Sequence, residues 1–131
     1  MLQVHHQNAR NIFPIGVRVY VSDVERSHSW YAQVLGLHMK LAPDHRSSQH
    51  VISYGEDQEV TVFYLVGGLR SEGHHSTVSL SFQVPDLEGT IASLKSAGVQ
   101  MAREIGIEPG TALRSATILD PDGHGIVIFE C

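Results

Sequence analysis

The chain has 131 residues, 42% of them hydrophobic and 18% charged, with a formal net charge of −5 from 9 basic and 14 acidic residues. That length supports one domain with a sizeable core and excludes two independent ones. No basic run or basic–aromatic stripe is present, so no nucleic-acid and no membrane partner is expected.

No apolar run reaches the length of a membrane span, and the opening MLQVHHQNAR lacks the apolar region of a signal peptide, so a cytoplasmic protein is expected. The only cysteine is Cys131, which rules out an intrachain disulfide. Histidine is abundant, at nine, yet none of the nine falls in an HExxH or Cys/His zinc pattern.

In chain order, residues 1–11 read as a loose arm. Residues 16–21, GVRVYV, alternate strictly: Val17, Val19 and Val21 form an apolar face, and Gly16, Arg18 and Tyr20 form the other. Ser22 or Asp23 can cap the helix that follows, with Glu25 completing a Ser-x-x-Glu box. Its apolar stripe is Val24, His28, Tyr31 and Leu35, with Trp30 and Val34 beside it, and Gly36 fits the left-handed C-terminal position. Three extended segments follow, around 38–41, 49–54 and 60–66.

After a Gly- and Ser-rich linker at 67–76, the pattern starts again. Aligning Asp23 with Asp86, an offset of 63, brings Val17, Val19 and Val21 onto Leu80, Phe82 and Val84 and Tyr31 onto Leu94. Ser79, Ser81 and Gln83 then oppose the apolar face, and Asp86 caps a helix with the stripe Leu87, Ile91 and Leu94, ended by Gly98. Further strands are expected around 100–104, 113–119 and 125–130. The chain is therefore a duplicated strand–helix–strand–strand–strand unit, with modules at 12–66 and 77–131 forming one domain.

Two βαβββ modules, a helix ending in SWYAQVLGL and a closing DPDGHGIVIFE together resemble the vicinal oxygen chelate superfamily, the group of glyoxalase I, extradiol dioxygenases, fosfomycin-resistance enzymes and bleomycin-resistance proteins. The resemblance runs over roughly residues 12–130. It implies an α+β fold whose curled mixed sheets form a cleft with the helices outside. Gly16, Arg18, Tyr20, Ser79, Ser81 and Gln83 would look into that cleft.

The resemblance also implies divalent-metal ligands on the first and last strands of each module. Carried over residue by residue, the first-strand positions fall on Gly16 and Ser79, and the usual last-strand glutamate falls on Val127. VTVFYLV, the last strand of the first module, holds no carboxylate or imidazole. Glu130 lies three residues past Val127 and is expected on the opposite face. No metal and no other cofactor is therefore expected. His74 and His75 remain as candidates for a non-standard metal site, and their bland reading is a polar loop.

The expected function is binding or sequestering a small organic ligand in the cleft. Arg18, Tyr20, Ser79, Ser81, Gln83, Arg114, Val127 and Phe129 are the candidate lining residues, with a guanidinium fork suited to a carboxylate or carbonyl oxygen. A solvated sheet face is the competing reading of the same residues. A metal-dependent lyase, dioxygenase or transferase with non-standard ligands, and a metal-free enzyme in the same cleft, stay open as alternatives. A homodimer is expected, because small open sheets leave edges that need covering.

Overall fold

The computed structural model describes residues 16–53, 55–56, 58–68, 79–108, 110 and 112–131. The arm, the centre of the linker and His74 and His75 lie outside those residues. Among the described residues no helix is long and apolar enough to cross a membrane.

The first module runs β1 (Val17–Val21), α1 (Val24–Gln33), β2 (Met39–Leu41), β3 (Ser47–Ser53) and β4 (Glu59–Gly67). The second runs β5 (Leu80–Val84), α2 (Leu87–Ser96), β6 (Met101–Ile107), β7 (Arg114–Leu119) and β8 (Gly125–Glu130). Each module forms its own mixed four-stranded sheet, in the orders β1-β4-β3-β2 and β5-β8-β7-β6. In both, the first strand pairs parallel with the last and the remaining pairs are antiparallel. The fold is α+β, two βαβββ modules, as the duplication requires.

Both helices start at an aspartate whose side chain accepts a backbone N–H three residues on: Asp23 from Arg26 and Asp86 from Gly89. Gly36 and Gly98 follow the helices with φ of 70° and 86°, the left-handed conformation that glycine adopts without strain. Ser22, the alternative cap, is drawn off instead to Asp122 of the other module.

One apolar core joins the modules. Val21, Val24, Tyr31, Phe63 and Leu65 from the first pack with Leu87, Ile91, Leu94, Ala116, Ile118, Ile126 and Ile128 from the second. These come from the sheet faces that carry the helices, and Phe63 and Phe82 meet there with ring centroids 6.4 Å apart. Burying each large apolar side chain is worth about 1.5–3 kcal/mol, so this shared cluster holds the two modules against each other.

The turn between β7 and β8 adds a polar latch. Tyr31 donates to Asp120 at 2.7 Å, Arg26 pairs with Asp122 at 3.4 Å, and a ring nitrogen of His124 lies 2.7 Å from the carbonyl oxygen of Tyr20. Asp120 is 5% exposed, and its second oxygen accepts the backbone N–H groups of Asp122 and His124. The DPDGH stretch thus ties the second module to β1 and α1 of the first.

Candidate functional site

Among the described residues, the face of each sheet opposite its helix carries exposed side chains, Arg18 and Tyr20 on the first and Ser81 and Gln83 on the second. On the first sheet, strand register places Arg18, Tyr64, Gln49 and Lys40 in one row across β1, β4, β3 and β2. A bulge between His50 and Val51 turns both of those residues inward, at 8% and 3% exposure. Beyond it, Ile52 stands opposite Val60 on the same open face as Val62 and Tyr20. Tyr20, Ile52, Val60 and Val62 are 41–47% exposed, a high value for large apolar side chains on a sheet. This face is an aromatic and aliphatic wall.

On the second sheet the matching row is Ser81, Val127, Thr117 and Arg103 across β5, β8, β7 and β6. Gln83, Phe129 and Ser115 form the next row. This wall is mostly polar. Ser79, just before β5, is exposed.

The structure therefore gathers Ser81, Gln83, Val127 and Phe129 on one wall and Arg18 and Tyr20 on the other. It does not bring Arg114 to either. Residue 114 pairs across the ladder on the helix side, where its guanidinium binds Glu130 at 2.9 Å and Glu88 at 2.7 Å. Those carboxylates, the Glu88 hydrogen bond first, raise its pKa. Glu130 also accepts the backbone N–H of Leu87 at 3.3 Å, so it completes the start of α2 and faces away from the wall. The sequence expectation for Glu130 holds, and the one for Arg114 gives way to these two carboxylates.

Four residues of the walls are not among those the sequence singles out: Tyr64, Lys40, Arg103 and Glu108. A signal for Tyr64 is present, because the offset of 63 places it on Val127, and the same offset places Lys40 on Arg103. Tyr64 fills a specific space. A Cβ built on Gly16 would meet its Cε2 at 2.9 Å, so the ring reaches across to β1 into the space that the glycine leaves. Gly16 has φ of 150°, which a side chain would also resist.

Charge on the walls is uneven. Lys40 is bonded to Glu59, whose carboxyl is held below its ordinary pKa chiefly by that hydrogen bond. Arg103 pairs with Glu108 at 2.8 Å, and Ser115, wholly buried, hydrogen-bonds to both. Arg18 is exposed and makes no ion pair among the described residues.

The metal positions implied by the sequence resemblance hold Gly16, Ser79 and Val127, and the 63-residue offset sets Tyr64 at the place matching Val127 in the first module. Two of these lack a donor, and the others offer a phenol and a hydroxyl, which do not hold a divalent metal against water. These residues do not fit a metal. No group of three His, Cys, Asp or Glu side chains among the described residues could hold one either. The remaining described histidines have other partners: His28 Nδ1 lies 2.6 Å from Ser48 Oγ, His38 Nδ1 lies 4.0 Å from Glu59, His45 contacts Glu25, and His50 lies 3.2 Å from the His38 carbonyl.

Comparison with known proteins agrees with this architecture. The sequence model of the Glyoxalase/Bleomycin resistance protein/Dioxygenase superfamily matches residues 12–128. A probable lactoylglutathione lyase of Vibrio parahaemolyticus is 23% identical over 116 residues, covering 84% of both chains. The protein of the same description from Vibrio cholerae is 25% identical over the same length and shares of each chain. A solved member of the superfamily from Sphaerobacter thermophilus superposes with a TM-score of 0.62 at 21% identity, over 92% of this chain and 98% of that one, a likeness of fold.

Proposed function

The chain belongs to the Glyoxalase/Bleomycin resistance protein/Dioxygenase superfamily, and from that membership we propose that it binds a small organic molecule without a metal, in a cleft completed by a second copy of the chain. One observation carries the reading: among the described residues of the single chain, nothing covers either cleft wall. The modules spend their apolar helix-side faces on each other, leaving Tyr20, Ile52, Val60 and Val62 exposed on the first wall. A patch of this kind, with a guanidinium at its edge that has no carboxylate partner among the described residues, is a binding surface awaiting a lid. The polar wall of a second copy supplies hydroxyls and an amide to face it, and a two-fold pair would make two equal sites.

The donor chemistry favours binding over lyase activity. In the metal positions stand a glycine, a serine and a valine, with Tyr64 at the place matching the valine, and no other described cluster replaces them. Arg18 can hold an oxygen of the ligand by charge and hydrogen bonds, without the polarising strength of a metal. A cytoplasmic location suits such a sequestering role.

Light scattering with mass spectrometry of molecules released by heat tests this. We expect a particle of twice the 14.4 kDa chain mass and a released organic compound. A stable monomer, or lactoylglutathione lyase activity that appears on adding a divalent metal, would overturn it.

A further inference from the structure

Resting on that reading, we infer that the ligand is a planar aromatic or conjugated molecule carrying one anionic group, with Tyr64 as its stacking platform and Arg18 as its anchor. Three features of the first wall point to this class. Tyr64 reaches over Gly16, its Cε2 only 2.9 Å from where a Cβ would stand, so β1 sets no side chain against the ring there and a planar ligand has room to stack on it. Aromatic pairs gain from stacking of that kind beyond the area they bury.

Arg18 and Tyr64 are direct partners in the β1–β4 ladder, so their side chains leave the same open face from neighbouring strands. A molecule resting on Tyr64 can therefore present a carboxylate to Arg18 without leaving the wall. The third feature is charge. Lys40 and Arg103, the cations at the far ends of the two rows, are already matched by Glu59 and Glu108. Among the described residues Arg18 alone of these three lacks a carboxylate, so the anionic partner it lacks is one the ligand can supply. The surrounding Tyr20, Val60 and Val62 suit an apolar ring body.

The second wall limits the class further. Ser81 and Gln83 are exposed, and Thr117 and Val127 lie between them and the closed Arg103–Glu108 pair. This wall offers neutral donors and acceptors to the other face of the ligand. A dianion would find no second free cation among these wall residues, so one anionic group is the match.

Titration calorimetry with three probes tests the class: 2-naphthoate, its neutral amide 2-naphthamide, and cyclohexanecarboxylate, which keeps the charge and loses the ring plane. The expected order puts 2-naphthoate at least about tenfold tighter than either of the others, the scale of one hydrogen bond to a charged group. Arg18→Gln should remove the preference for naphthoate over naphthamide, and Arg18→Lys should keep part of it. Tyr64→Leu should remove the preference over cyclohexanecarboxylate. Both positions lie on an open strand face, and matching melting curves show that the variants fold. Equal affinity for all three probes overturns the aromatic-anion class while leaving small-molecule binding in place. Failure of all three to bind, or a naphthoate affinity that both Arg18→Gln and Tyr64→Leu leave unchanged, also overturns the class. The particle mass and the released compound judge the broader reading separately.

Discussion

The hydroxyl of Tyr31, in the first helix, donates a 2.7 Å hydrogen bond to Asp120, in the turn before the last strand. Tyr31 is wholly buried and Asp120 is 5% exposed, so this bond spans the two modules inside the protein. Tyr31→Phe keeps the ring and strips the donor from a buried carboxylate oxygen. The expected cost is about 1.5–3 kcal/mol of unfolding free energy, measured by urea titration at neutral pH. A change under a few tenths would mean that the carboxylate finds another donor.

The same bond predicts an alkaline limit. Burial first, and the charge of Asp120 second, raise the pKa of Tyr31 far above its ordinary value of 10.0. The folded state therefore holds the proton after the unfolded chain releases it. This contribution is complete below about pH 10 and declines above it, by up to about 1.4 kcal/mol per pH unit. Wild type should lose stability across that range more steeply than Tyr31→Phe. Parallel pH curves would contradict the assignment.

Gly16 and Tyr64 predict a linked pair of effects. Gly16→Ala places a Cβ 2.9 Å from the ring at a φ of 150°, and the backbone strain alone costs about 1–3 kcal/mol. Carbon-13 shifts of the Tyr64 ring should move as it lifts off β1. In the double variant Gly16→Ala with Tyr64→Ala, the steric part of the cost should vanish and the backbone part remain. An unmoved Tyr64 signal in the single variant would show that the ring is held elsewhere.

Glu130 should behave as a structural residue. It accepts the Leu87 N–H and pairs with Arg114 on the helix side. Glu130→Gln should lower stability by about 1 kcal/mol, as losing a helix-start acceptor does, and leave binding of any cleft ligand unchanged. Reduced ligand affinity at unchanged stability would put Glu130 back among the site residues.

Much of this fold is legible in the sequence because the duplication fixes it. Alternation around Val17, Val19 and Val21 sets one sheet face, and the 63-residue offset carries that assignment to Leu80, Phe82 and Val84. Strand parity alone puts Glu130 on the correct face. Arg114 is harder to read, because its partners, Glu88 and Glu130, come from a helix start and another strand, neither of them near it in the chain. Tyr64 carries no carboxylate or imidazole to mark its strand as functional, and its role follows from what Gly16 lacks. The open walls are beyond reach of the sequence, since alternation tells which faces differ and not which faces meet.

Whether two copies complete each cleft can be measured without a ligand. In a Cys131→Ser background, a chain carrying Arg18→Cys is mixed and re-equilibrated with a chain carrying Ser81→Cys, then treated with a short bismaleimide and run on a denaturing gel. Because residue 18 lies on the first wall and residue 81 on the second, a composite cleft predicts a cross-linked band at twice the 14.4 kDa chain mass. A chain carrying both substitutions should likewise join to its neighbour. Rapid cross-linking of that doubly substituted chain within itself, running at the single-chain mass with no joined pair in the mixture, would contradict a cleft shared between copies.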